Sequence, residues 1–112
     1  MRLDVLCADD HLTHVELHGR LDIAGVNAIQ DQFVFQTAGR RRSTLVDLAH
    51  VTFMASLGMG MLVSAAKALQ RGGAKMVLVR PTELVRKALE AAGIHFVIPI
   101  AEEQEHALQL LG

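Results

Sequence analysis

Polar and apolar residues alternate most cleanly over residues 12–19. Thr13, Val15 and Leu17 point one way; His14, Glu16 and His18 point the other. A period of two predicts a half-buried strand with one wet face, as in antiparallel sheets. A shorter strand over residues 3–8 precedes it, and Asp9-Asp10 between them is good turn chemistry, so the two are expected to form a hairpin. The period then lengthens. Val26, Ile29 and Phe33 share one helical face within residues 23–37, with Asp22 placed to cap the start. Residues 44–48 and 51–54 read as strand on either side of a turn at Ala49-His50.

The strongest helical pattern runs over residues 58–70, with Leu62, Val63, Ala66 and Leu69 inward and Arg71-Gly72-Gly73 as the stop. The unbroken apolar run Met76-Val77-Leu78-Val79 predicts a strand buried on both faces, hence central and parallel. Pro81-Thr82-Glu83 opens another helix with Leu84, Val85, Ala88, Leu89 and Ala92 inward and Gly93 past its end. Residues 96–98 are expected to be a last strand and 102–111 a last helix, whose acidic first turn suits the helix dipole. The predicted order is ββαβαβαβα: an α/β fold with a mixed four- to five-stranded sheet and right-handed crossovers in its parallel part. In such sheets partners use the loops at the carboxyl ends of strands, which directs attention to the segment after Phe53.

Composition narrows the class. A length of 112 residues predicts one domain, 1–112, and 51% hydrophobic with 21% charged residues predicts a packed core. Eleven basic and twelve acidic residues give a formal charge of -1, which argues against direct nucleic-acid binding, since phosphates demand a basic face. No apolar run approaches the roughly 20 residues that span a bilayer. The opening Met1-Arg2-Leu3-Asp4 lacks an export signal's charged start and apolar stretch, so a cytoplasmic location without membrane insertion is expected. The single Cys7 excludes an internal disulfide and is expected to be a small buried hydrophobe.

Six histidines raise the question of metal. His14 and His18 share a strand face, but four strand residues separate them by roughly 13 Å, too far to hold one ion. With Glu16 they read as the solvent face of an outer strand, and His11, His50, His95 and His106 follow no ligand spacing, so neither metal nor cofactor is expected. Gly58-Met59-Gly60 lacks the third glycine of a dinucleotide fingerprint, because position 63 is Val. The run Arg40-Arg41-Arg42 reads as a solvated loop. An enzyme would need Asp22, Asp47, His50 and Ser56 to converge on one pocket; without that, no catalysis is expected.

The segment Phe53-Met54-Ala55-Ser56-Leu57-Gly58-Met59-Gly60 has a different character. An apolar strand enters it and a strong helix leaves it. Ser56 is expected to be the helix N-cap, and Gly58 and Gly60 to keep the backbone open to another molecule. Met54, Leu57, Met59 and Met61 gather at one helix entrance, and methionine adapts to irregular partner surfaces.

The run from Val46 to Gly60 resembles the signature of STAS domains, in particular the bacterial anti-sigma factor antagonists. Gly19-Arg20-Leu21-Asp22 resembles that family's entry into its first helix, residues 72–79 its later strand and residues 84–93 the helix that follows. The resemblance covers essentially the whole chain in order. It implies a STAS-like fold and a binding module that sequesters an anti-sigma factor, itself a serine kinase, and so frees a sigma factor. It also implies partner switching, in which phosphorylation of the loop breaks the complex.

The family's usual loop is Asp-Ser-Ser/Thr-Gly, and here it is Ala55-Ser56-Leu57-Gly58. Leu57, which has no hydroxyl, stands where the acceptor belongs, so the phosphoswitch is expected to be lost or altered, with Ser56 the one candidate acceptor. Asp22, Ala55, Ser56, Leu57, Gly58 and Met59 are expected to line the partner surface, with Met61 and Ser64 further along the helix. The alternatives are a STAS subunit of a transporter or sensory assembly, or a nucleotide-binding sensor. The hairpin's unprotected outer edge also admits a homodimer.

Overall fold

The computed structural model describes residues 1–112 as a five-stranded mixed sheet with four α-helices. The strands are β1 (Arg2–Ala8), β2 (Leu12–Leu21), β3 (Ser43–Met54), β4 (Met76–Val79) and β5 (Ile100–Ala101), side by side in chain order. β1 and β2 form the expected antiparallel hairpin, and every later pairing is parallel. The hairpin turn is set by Asp9, whose carboxylate accepts from the backbone N–H of His11 and of Leu12, each at 2.8 Å. The helices are α1 (Ile23–Val34), α2 (Ser56–Arg71), α3 (Glu83–Ala91) and α4 (Gln104–Leu111).

β4 sorts the two faces of the sheet. Met76 and Leu78 join the larger core, where Val26, Ile29 and Phe33 of α1, Leu62, Ala66 and Leu69 of α2, and Val85 and Leu89 of α3 pack together. Val77 and Val79 face the other way and join Leu45, Ala101 and Ala107 beneath α4. A strand apolar at every position thus serves two cores, as its composition requires. Each fully buried large side chain contributes about 1.5–3 kcal/mol relative to exposure. The faces are unequally covered, however. The eight residues of α4 span about 12 Å and pack over β3, β4 and β5, whereas three helices serve the opposite face.

Several expectations need correction. β2 lies between β1 and β3 and is not an outer strand; the edge is β1, which exposes Val5, Leu6 and also Cys7. His14 is consequently buried rather than solvent-facing. β3 runs unbroken through Ala49-His50, because a bulge absorbs the irregularity: Glu16 pairs with Asp47, while His18 pairs with His50. α1 ends at Val34 and continues as one π-helical turn, Phe35–Gly39, in which the buried Thr37 hydroxyl donates to the Phe33 carbonyl at 2.7 Å.

Leu84 and Ala92, expected inward, are exposed; the buried positions of α3 are Val85 and Leu89. Residues 96–98 are not strand. Gly93, with φ of 74°, ends α3, and a single 3-10 turn over Ile94–Phe96 follows. That turn leaves Phe96 85% exposed, and pairing with β4 begins only when the Pro99 carbonyl accepts from Leu78 N–H.

Candidate partner-binding surface

β2 and β3 end in register, Leu21 opposite Met54, so the two strand-to-helix turns that follow lie side by side. The Ala55 N–H donates to the Leu21 carbonyl at 3.0 Å and ties them together. Asp22 is the N-cap of α1, accepting from Gly25 N–H at 2.8 Å, as its position in sequence predicts. That N–H first, and the Arg20 guanidinium second, hold the Asp22 carboxyl below the usual carboxylate range. Arg20 also lies over the Phe53 ring, 4.4 Å from its centre, linking the two strand ends a second time.

Two glycines make this junction. A Cβ on Gly25 would stand 2.0 Å from the Arg20 carbonyl oxygen. One on Gly58 would stand 2.7 Å from the Leu21 side chain. Gly58 is therefore bare because the molecule's own Leu21 occupies the space, not to admit a visitor. Gly60, with nothing within 4 Å of its would-be Cβ, is the glycine that leaves open surface.

α2 starts two residues earlier than its periodicity suggests. Its N-cap is Ala55, in extended conformation and with no side chain to bond the first turn; Ser56 is the first helical residue and is exposed. The expected Ser56 cap is thus corrected, and the first-turn N–H groups lack the side-chain partner a Ser or Asp would supply. Leu57 follows, 47% exposed. From it runs a stripe at helical spacing, Leu57, Met61, Ser64 and Ala68, facing Val26, Gln30 and Val34 of α1 across an open groove of about 410 Å³.

Of the residues singled out in the sequence, Leu57, Met61 and Ser64 line this groove, and Asp22, Ala55 and Ser56 lie at the joined turns by its mouth. Met61 is mostly buried and shows the groove only an edge, and Met59 is half-buried against the core. Sequence reasoning missed the contribution of α1. Ile23, Val34 and Phe35 are exposed apolar residues, and Ile23 and Val34 are eleven apart, three turns on one face, off the core stripe of Val26, Ile29 and Phe33. That second stripe was the available signal.

Asp22, Asp47, His50 and Ser56 do not form a catalytic constellation. The fully buried Asp47 carboxylate accepts from the Arg80 guanidinium through one oxygen and from Ala49 N–H, at 2.9 Å, through the other. The carboxylate bond and its charge raise the Arg80 pKa further above its ordinary value. Asp22 is engaged by Gly25, and His50 stacks on His18 with ring centres 4.7 Å apart. No helix is long and apolar enough to cross a membrane.

Comparison with known proteins agrees with this architecture. An anti-sigma-B factor antagonist of Staphylococcus epidermidis is 23% identical over 105 residues, covering 94% of this chain and 96% of the relative. The anti-sigma-factor antagonist (STAS) domain protein of Planctomyces limnophilus superposes with a TM-score of 0.85 at 22% identity, covering 98% of this chain and 97% of its own. The Bacillus cell fate determinant SpoIIAA, solved in its phosphorylated form, superposes at 0.69 with 20% identity, covering 97% and 99%. The sequence pattern of the STAS domain matches residues 4–107, nearly the whole chain, and the protein belongs to the STAS domain family.

Proposed function

We propose that this STAS domain is an anti-sigma factor antagonist that acts by binding alone, with no catalysis of its own. It docks an anti-sigma factor of the serine-kinase type on the α1–α2 groove and the adjoining turns, in the cytoplasm, and so frees a sigma factor. The observation that carries the reading is Leu57, a large apolar residue left half-exposed at the mouth of an apolar groove. What supports a protein contact is the pairing of this side chain with the groove beside it, whose walls from α1 and α2 add further apolar surface for a partner to cover. The antagonist relatives supply the kind of partner.

The loop also supports a permanent rather than a switched complex. Phosphorylation would add about -1.5 to -2 charges and break a close apolar contact. Leu57 has no hydroxyl to accept a phosphate, and Ser56, one residue earlier, is turned by about 100° on the helix start. Incubation with a cognate serine-kinase anti-sigma factor and ATP, followed by intact-mass measurement and co-elution, tests both parts. The expected result is a stable complex with no added phosphate. Phosphate on Ser56 overturns the loss of the switch. Failure to bind any such factor overturns the antagonist reading in favour of a STAS module in a transporter or sensory assembly.

A further inference from the structure

The sheet face that α4 leaves uncovered carries a second cluster. Glu16 and His18 lie two residues apart on β2 and so share a face. His50, on β3, comes to that face through the bulge. Regular alternation would put residue 50 on the same side as the core residues Val46 and Leu48; the extra residue between Asp47 and His50 reverses the phase, and Val51 turns inward instead. Asp47 holds the bulge by accepting from Ala49 N–H.

The resulting contacts are close. His18 Nε2 is 2.5 Å from Glu16 Oε1 and 3.4 Å from Asp4 Oδ2, and His50 Nε2 is 3.9 Å from Glu16 Oε2. The two imidazoles stack within 4° of parallel. One ligand atom from each of Glu16, His18 and His50 lies within 4.8 Å of the other two.

We propose that Glu16, His18 and His50 bind a divalent transition-metal ion of the zinc class. Two imidazole nitrogens and one carboxylate oxygen form a three-ligand set that suits zinc, with a fourth position left for water. In a tetrahedral site, metal–ligand bonds of about 2.0–2.1 Å set the donor atoms about 3.3 Å apart, and the exposed His50 ring would turn out of its stack on His18 so that both in-plane lone pairs meet at the ion. The local charge points the same way. His18 Nε2 faces two carboxylates, Glu16 and Asp4, but has at most one proton to offer. A dication held by both neutral rings satisfies the nitrogens and the carboxylates together. A further buried histidine, His14, stands next along the same strand face with its Nε2 unpartnered.

The site is independent of the proposed partner groove, and so is its test. The untagged full chain carrying Cys7→Ser, which removes the exposed thiol as a competing ligand, is titrated with zinc chloride by calorimetry. Cobalt(II) absorption then reports the geometry. One zinc per chain is expected, with a tetrahedral cobalt spectrum. His50→Ala, at an exposed position, should weaken zinc at least about tenfold while leaving the fold intact, and His18→Gln should do the same. His106→Ala, exposed on α4, should leave affinity unchanged. No saturable binding at millimolar zinc, or affinity that falls less than tenfold in both the His50 and the His18 variants, overturns the proposal.

Discussion

The two faces of this sheet are built by different means. On the helical face, the α1–α2 groove and the joined turns at its mouth follow from local rules: a capping carboxylate at Asp22, glycines where backbones touch, and an apolar stripe at helical spacing from Leu57. On the open face, the Glu16–His18–His50 cluster follows from one long-range event, the pairing of β2 with β3 across a bulge. The first surface is specified by neighbours in sequence. The second is specified by register, and one extra residue in β3 decides which side chains meet.

The largest expected effect lies at the joined turns. Gly25→Ala drives a methyl group to 2.0 Å from the Arg20 carbonyl, and backbone cannot yield as a side-chain tip can. A loss of about 3 kcal/mol is expected, at the upper end for overpacking, read as a lower urea midpoint with unchanged slope. A near-normal midpoint would mean that the turn from β2 into α1 is not held tightly against the Arg20 carbonyl, and the contrast between a rigid turn and a register-dependent face would fail.

Asp47→Ala sharpens the contrast from the other side. It deprives the bulge N–H of Ala49 of its acceptor and leaves Arg80 without its carboxylate. Because Arg80 is half-exposed and can rehydrate, the cost should be about 1–3 kcal/mol, below that of a fully buried pair. Asp47→Asn keeps an oxygen for Ala49 and should lose less. If the bulge places His50, zinc affinity should fall in the alanine variant and survive better in the asparagine one, measured by the same calorimetric titration.

The difference between the faces also explains what could be read without coordinates. The order of elements, the capping by Asp22 and the core stripes of α1 and α2 all rest on spacing within a dozen residues, and the structure reproduces them, whereas the exposure of Leu57, which the structure also shows, is an expectation from the resemblance. The resemblance to STAS domains, carried by the loop and its flanks, is matched by the family pattern over residues 4–107. The histidines misled for a physical reason. Distance along β2 argues against His14 and His18 sharing an ion, but nothing local announces that His50, thirty-two residues beyond His18, stacks on it. Cys7 and His14 were misplaced for a related reason: their burial depends on which strand of the hairpin is the edge, which pairing with β3 decides. Ser56 was misplaced because the chain begins α2 at a position with no capping side chain, and local preference for a serine cap yields to the register that ties Ala55 to Leu21.

Leu57→Asp separates surface from scaffold on the helical face. At a half-exposed position it should change stability by no more than about 0.5 kcal/mol, while a charge at the groove's mouth should abolish co-elution with the anti-sigma factor. Retained binding would move the docking surface away from the groove.

The smallest effect belongs to Asp22. Its carboxylate is stabilised in the ionised form by the Gly25 N–H and by Arg20, so the folded protein takes up this proton less readily than the unfolded chain. The stabilisation is whole at pH above the usual carboxylate range and fades as pH falls through the depressed folded value. Asp22→Asn keeps an oxygen for the cap but cannot titrate. Urea midpoints of the two proteins measured from neutral pH downward should therefore lie close together at first, and the wild-type curve should fall more steeply in acid. Parallel curves would mean that the Gly25 bond does not distinguish the charged from the neutral cap, and that the turn beside the groove is held by its glycines and backbone bonds alone.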